Sequence, residues 1–188
     1  DVLEHGGEVN MVMFGSGGVG KKSIINRFLV NDFSGKYIYS DEDETYTKQT
    51  EVDGQIFTFN ILKPCSASDC FTAMRDLHIK MNDIFFVVHS ITSAKGLNDT
   101  IDYIDQIKRV KDDDHPHVMI VSNKNDQESL RMVSNDAGRK MAAQNGVAYM
   151  EVSAKTGDGV EEMFCEVIRY AKDHSYVCGR SYNIKRAK

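Results

Sequence analysis

No apolar run in this chain is long enough to cross a bilayer, and no segment reads as a signal peptide. Repeats and low-complexity stretches are absent too, which sets aside solenoids and linkers. The four cysteines (Cys65, Cys70, Cys165, Cys178) have neither zinc spacing nor the density of a disulfide framework, so a reducing, cytoplasmic setting is expected. Positive charge is not in excess: the net charge of −5 argues against a nucleic-acid binder. What remains is one ordinary domain of 188 residues, long enough to bury a core. The chain starts at Asp1 rather than Met, as expected of a piece of a longer protein.

What is there begins with Gly15-Ser16-Gly17-Gly18-Val19-Gly20-Lys21-Lys22-Ser23. It fits Gly-x-x-x-x-Gly-Lys and then puts Lys22 where the pattern asks for Ser or Thr. Val9 to Phe14 reads as a buried parallel strand before it, and Ile24, Ile25, Phe28 and Leu29 recur at helical spacing after it. A strand, a glycine-rich turn and a helix start aim backbone N–H groups and the positive end of a helix dipole at one anion. Lys21 is placed to reach the terminal phosphates of a nucleotide.

A second set of polar residues follows two later strand patterns. His117 to Ser122 ends in Asn123-Lys124-Asn125-Asp126, and Met150 to Val152 ends in Ser153-Ala154-Lys155. Alone, Asn-Lys-Asn-Asp is a common polar turn. Behind this phosphate loop and in this order, the motifs resemble the guanine-specificity elements of the Ras superfamily of small GTPases, closest to the Ras branch. The likeness runs from about Val9 to Lys172 and includes Thr72-Ala73-Met74-Arg75-Asp76, Gln106 to Lys111 and Glu151 to Gly157.

That resemblance implies a guanine-nucleotide site for GTP or GDP. Asp126 would accept hydrogen bonds from guanine's ring N–H and exocyclic amine, a charge-assisted contact that adenine cannot match. Asn123 would tie this loop to the phosphate loop, Lys124 would lie along the base, and the Ala154 N–H would meet the guanine carbonyl. Phe33 holds the position whose ring covers the ribose or base edge. The nucleotide-contacting set is then Gly15, Gly17, Gly18, Val19, Gly20, Lys21, Lys22, Ser23, Phe33, Asn123, Lys124, Asp126, Ser153, Ala154 and Lys155.

The remaining pattern alternates strands and helices. Thr45–Val52 and Gln55–Leu62 read as a hairpin around Asp53-Gly54. Helices are expected near 71–80, 96–111, 133–144 and 160–172, with strands at 83–90, 117–122 and 148–152. The expected fold is the α/β G domain of P-loop NTPases: a mostly parallel six-stranded sheet with helices on both faces, its ligand at the carboxyl ends of the strands. Residues 1–8 read as an N-terminal extension, 9–172 as the nucleotide-binding domain and 173–188 as a basic tail.

Departures from the family pattern cluster where the chemistry lies. In the family, the residue after the loop lysine binds Mg²⁺ through a hydroxyl; here it is Lys22. Ser23 is a poor substitute, because one helical step turns a side chain by about 100°. The metal-supporting Asp of Asp-x-x-Gly falls on Lys63, followed by Pro64, Cys65 and Ser66. The water-orienting glutamine falls on Ala67-Ser68, and the switch threonine on Ser40 or Asp41. Magnesium is therefore in doubt, no metal ligand and no catalytic residue are assigned, and Lys22 with Lys63 would neutralise phosphates instead. The plain alternative makes Lys22 a solvated helix-start lysine, with a remodelled loop supplying other ligands.

Residues 38–46 contain the acidic run Asp41-Glu42-Asp43-Glu44, which reads either as a solvated loop or as an effector surface where a partner adds to the sheet. Cys65 and Cys70 read as small side chains or as a redox pair. The tail shows no Cys-a-a-X motif, so either a prenyl anchor is lacking or the natural chain continues beyond Lys188; its basic residues and Cys178 leave membrane contact open. Two functions stand. One is a guanine-nucleotide-binding signalling module with little or no hydrolysis, a pseudo-GTPase acting through partners. The other is a slow but working GTPase switch, and whether the chain is an enzyme stays open between them.

Overall fold

The computed structural model describes residues 6–34, 42–65 and 71–178, with 174–178 given by backbone alone. Six strands form one sheet in the order β2-β3-β1-β4-β5-β6. They are β1 (Gly7–Phe14), β2 (Glu44–Val52), β3 (Gln55–Lys63), β4 (Ile84–Ser90), β5 (His117–Asn123) and β6 (Ala148–Glu151). Only β2 runs antiparallel, against β3; the other neighbours are parallel. Five helices complete the fold: α1 (Lys21–Val30), α2 (Thr72–Met81), α3 (Ala94–Lys111), α4 (Asn135–Asn145) and α5 (Val160–Cys178).

Strand character follows position in the sheet. Every residue of β4 and β5 is buried, as their unbroken apolar runs require between two helical layers. β2 alternates between exposed and covered residues along most of its length, as suits an edge strand. The β2–β3 turn puts both Asp53 (φ 51°) and Gly54 (φ 79°) in the left-handed region, the geometry that favours an Asp-Gly pair in a two-residue hairpin.

Two cores lie on opposite faces of the sheet. One gathers Met11, Phe59 and Phe86 with Ile24 and Phe28 of α1 and Phe164 and Ile168 of α5. Phe28 stacks on Phe164 with ring centroids 3.9 Å apart, which locks α1 to α5. The other packs Phe14, Phe85 and Ile120 against Ile104 and Ile107 of α3 and Ala142 of α4. Ser93 and Ser134 cap α3 and α4 by accepting the Gly96 and Ala137 N–H groups, each at 3.2 Å. No side chain caps α1, whose N-cap is Gly20 and whose first turn holds no acidic residue. That bare positive helix end faces the functional loops.

α5 runs to Cys178, past the Lys172 end expected from sequence. Nothing in Asp173 to Cys178 breaks a helix, and the first glycine follows at Gly179. A short 3-10 turn at Glu128–Leu130 also appears, too brief to leave a periodic signal.

Candidate functional site

The loop 15–20 leaves the carboxyl end of β1 and turns into α1. Gly20 adopts φ 100°, and a Cβ there would strike Asn123 Nδ2. Close approach of these two loops therefore requires glycine. Asn123 uses that space: its Nδ2 donates to Val19 O at 2.8 Å, while its Oδ1 accepts the Ala154 N–H at 3.1 Å. One buried carboxamide thus joins the phosphate loop, the Asn-Lys-Asn-Asp loop and the Ser-Ala-Lys loop.

Other contacts tighten the junction. Lys124, in the left-handed region at φ 69°, donates from Nζ to Gly18 O at 2.9 Å. Ser153 Oγ donates to Asp126 Oδ1 at 2.6 Å, fixing the exposed carboxylate that would read guanine. Lys21 Nζ donates to Gly15 O and, at 3.2 Å, to Ser16 O, so the ammonium is folded over the loop it must serve. The Ala154 N–H is engaged by Asn123, so a guanine carbonyl would share that donor. Phe33 is half-buried against the α1–α5 core. Gly17 leaves open space where a side chain would stand.

Lys22 and Lys63 come together. Lys22 Nζ lies 2.6 Å from Glu44 Oε1, and Lys63 Nζ lies 2.9 Å from Glu44 Oε2. The hydrogen bond to Glu44 leads in raising the Lys22 pKa. Burial alone would raise Glu44, but its bonds from the two lysines outweigh that and leave the carboxyl below its ordinary value. Tyr46, on the same strand face, joins the cluster, and burial together with the Glu44 charge raises its phenol. Ser23 sits half-buried one step along α1.

The neighbouring acid, Asp43, faces elsewhere. Its Oδ2 lies 2.9 Å from His78 Nε2 of α2, and its Oδ1 accepts the Cys65 N–H at 2.8 Å. Cys65 is buried; Cys70, Ser40, Asp41, Ser66, Ala67 and Ser68 lie outside the described residues, as do 1–5 and 179–188.

Three supports of this site were not anticipated from sequence. Arg27 of α1 donates from Nε to Ala154 O at 3.0 Å and from an Nη to Lys155 O at 2.6 Å, stapling the Ser-Ala-Lys loop to the helix that follows the glycine loop. Asn125 Nδ2 donates to Asp158 Oδ2 at 2.8 Å, holding the loops that follow β5 and β6 together. Beneath them, Ser122 Oγ meets His89 Nε2 at 2.6 Å and Tyr149 Oη at 3.0 Å, and Tyr149 donates to Glu151. Burial lowers the His89 pKa and pushes Tyr149 up to about 12, so the imidazole stays neutral and the phenol keeps its proton. No short motif marks Arg27, His89 or Tyr149; Asn125 holds the open position of Asn-Lys-Asn-Asp, and Glu44 lies within the acidic run 41–44.

The donor set suits a guanine nucleotide: an uncapped helix start, a glycine loop, a folded-over lysine and an oriented carboxylate. The Ras family model matches residues 10–173. The chain belongs to the Ras family and is a GTP-binding small-GTPase domain, and no helix among the described residues is long and apolar enough to cross a membrane.

Proposed function

We propose that this Ras-family domain holds its guanine nucleotide with lysine charge in place of a divalent metal, hydrolyses it little or not at all, and acts mainly by presenting surfaces to protein partners. The observation that carries the reading is the convergence of Lys22 and Lys63 on one carboxylate. Glu44 is a stand-in anion there: two ammonium groups grip its two oxygens as they would grip phosphate oxygens. A hard divalent cation needs anionic or neutral oxygen ligands, and at these positions it would meet two like charges. Nucleotide-contacting roles for the fifteen residues named from sequence belong to the same proposal.

Phosphoryl transfer depends on positioning and charge stabilisation, so replacing the metal-supporting residues and the water-orienting glutamine together removes most of what accelerates it. For partners, the β2 edge offers unpaired backbone groups to an added strand. Phe71 at the start of α2 and Met74, Leu77 and Met81 along it expose apolar surface as well.

Fluorescent GTP titrated into purified protein, in excess Mg²⁺ and again in EDTA, tests the reading. Equal affinity in both, with no phosphate released over hours, is expected. Affinity that collapses in EDTA, or steady phosphate release in Mg²⁺, would return the chain to the working-switch class.

A further inference from the structure

The lysine pair already holds an anion, and that anion belongs to the strand that partners would read. Glu44 is the first residue of β2 and the cross-strand neighbour of Lys63. Lys22 reaches it from the first turn of α1. The side chains of Glu44, Lys22 and Lys63 are 23%, 27% and 10% exposed, respectively, so the cluster is partly wetted and its pairs can exchange. Two ammonium groups and one carboxylate leave a net positive charge, so the cluster still attracts a polyphosphate.

From this geometry we infer that Glu44 is an internal competitor of the nucleotide's terminal phosphate: a guanosine triphosphate binds by displacing the Glu44 carboxylate from Lys22 and Lys63, which releases that carboxylate at the β2 edge for a basic partner segment. The inference rests on the lysine-for-metal reading above. The competition is selective, because Lys22 stands at the position that in the family holds the metal bridging the β- and γ-phosphates, so a diphosphate, which lacks the γ-phosphate, displaces Glu44 less fully. It is also reciprocal: a basic segment that draws Glu44 outward removes the competitor and tightens triphosphate binding by the same factor. Asp43 does not take part. It stays tied to His78 and the Cys65 amide on the other side of the strand start, so the backbone keeps its place while the Glu44 side chain changes partner.

Fluorescent GTP and GDP are titrated in EDTA into the full chain and the variants Glu44→Gln, Lys22→Gln and the double variant, with thermal melts confirming that each is folded. Loss of two partly screened ion pairs predicts that Glu44→Gln tightens GTP about three- to tenfold and GDP less than about twofold. In the Lys22→Gln background the gain shrinks, as coupled residues require. Glu44→Ala reproduces the gain if lost charge, rather than the new amide, is responsible. If Lys22→Gln weakens GTP but neither Glu44 variant tightens it, the competition is refuted while the lysine reading survives. If Lys22→Gln leaves GTP affinity intact, the lysine reading itself fails, and the competition with it.

Discussion

Lys63 Nζ sits 2.9 Å from Glu44 Oε2, across the last and first residues of two paired strands. On the proposed reading Lys63 takes the place of a metal-supporting carboxylate; its counter-ion, Glu44, comes from the neighbouring strand. Truncating the ammonium leaves a partly buried carboxylate with one fewer partner. Lys63→Met is therefore expected to cost about 1 kcal/mol, or about 2–4 °C of melting temperature for a domain of this size. Differential scanning fluorimetry at pH 7 checks this, and an unchanged melt would mean that the pair's attraction is offset by its desolvation.

Restoring the family's residues should restore its metal. Lys22→Ser with Lys63→Asp replaces two ammonium groups by a hydroxyl and a carboxylate, the oxygen ligands a hard cation prefers. The double variant is expected to lose bound nucleotide on chelation, read by filter binding. Retention as firm as in the parent chain would show that lysine charge was not what excluded the ion.

Arg27 should matter to nucleotide residence although no motif includes it. Its guanidinium holds Ala154 O and Lys155 O. Arg27→Ala removes two charge-assisted bonds from the loop that frames the base, and about tenfold faster release of fluorescent GDP is expected in stopped flow. An unchanged off-rate would confine Arg27 to fold stability.

Base discrimination should rest on Asp126. Asp126→Ala removes the only carboxylate that Ser153 orients at this loop among the described residues. Guanine-over-adenine preference is expected to fall by about 1–3 kcal/mol in competition binding, through loss of GTP rather than gain of ATP. A preserved preference would move base recognition elsewhere.

Acid should loosen the support beneath the base loop. Burial lowers the His89 pKa from its ordinary 6.5, so the unfolded chain takes up that proton more readily than the folded one. The stability is present above pH 6.5 and is lost as pH falls through the folded value. The melting temperature should drop between pH 7 and 5, and drop less in His89→Gln. The Glu44 contribution belongs to a lower window, because its carboxyl is held below its ordinary 4.5. Equal slopes in both proteins would remove His89 from the account.

Much of this was legible in the chain. β4 and β5 announce themselves because burial on both faces demands unbroken apolar runs, and the Asp53-Gly54 turn because few pairs tolerate two left-handed residues. The loops around Asn123 and Ser153 were readable from spacing. Glu44 was not: a carboxylate between two lysines far off in sequence leaves no periodic or motif signal, and its acidic neighbours made it look solvated. Arg27 was hidden for a similar reason, since it bonds to backbone carbonyls, which carry no residue identity.

The central claim, that lysine charge holds the nucleotide without a metal, is tested most directly by chelating the purified protein, desalting it, denaturing it and separating the released nucleotide by HPLC. Stoichiometric guanine nucleotide, with GTP intact, is expected after EDTA as before it. Empty protein after EDTA, or GDP alone beforehand, would contradict it and restore a metal-dependent, hydrolysing switch.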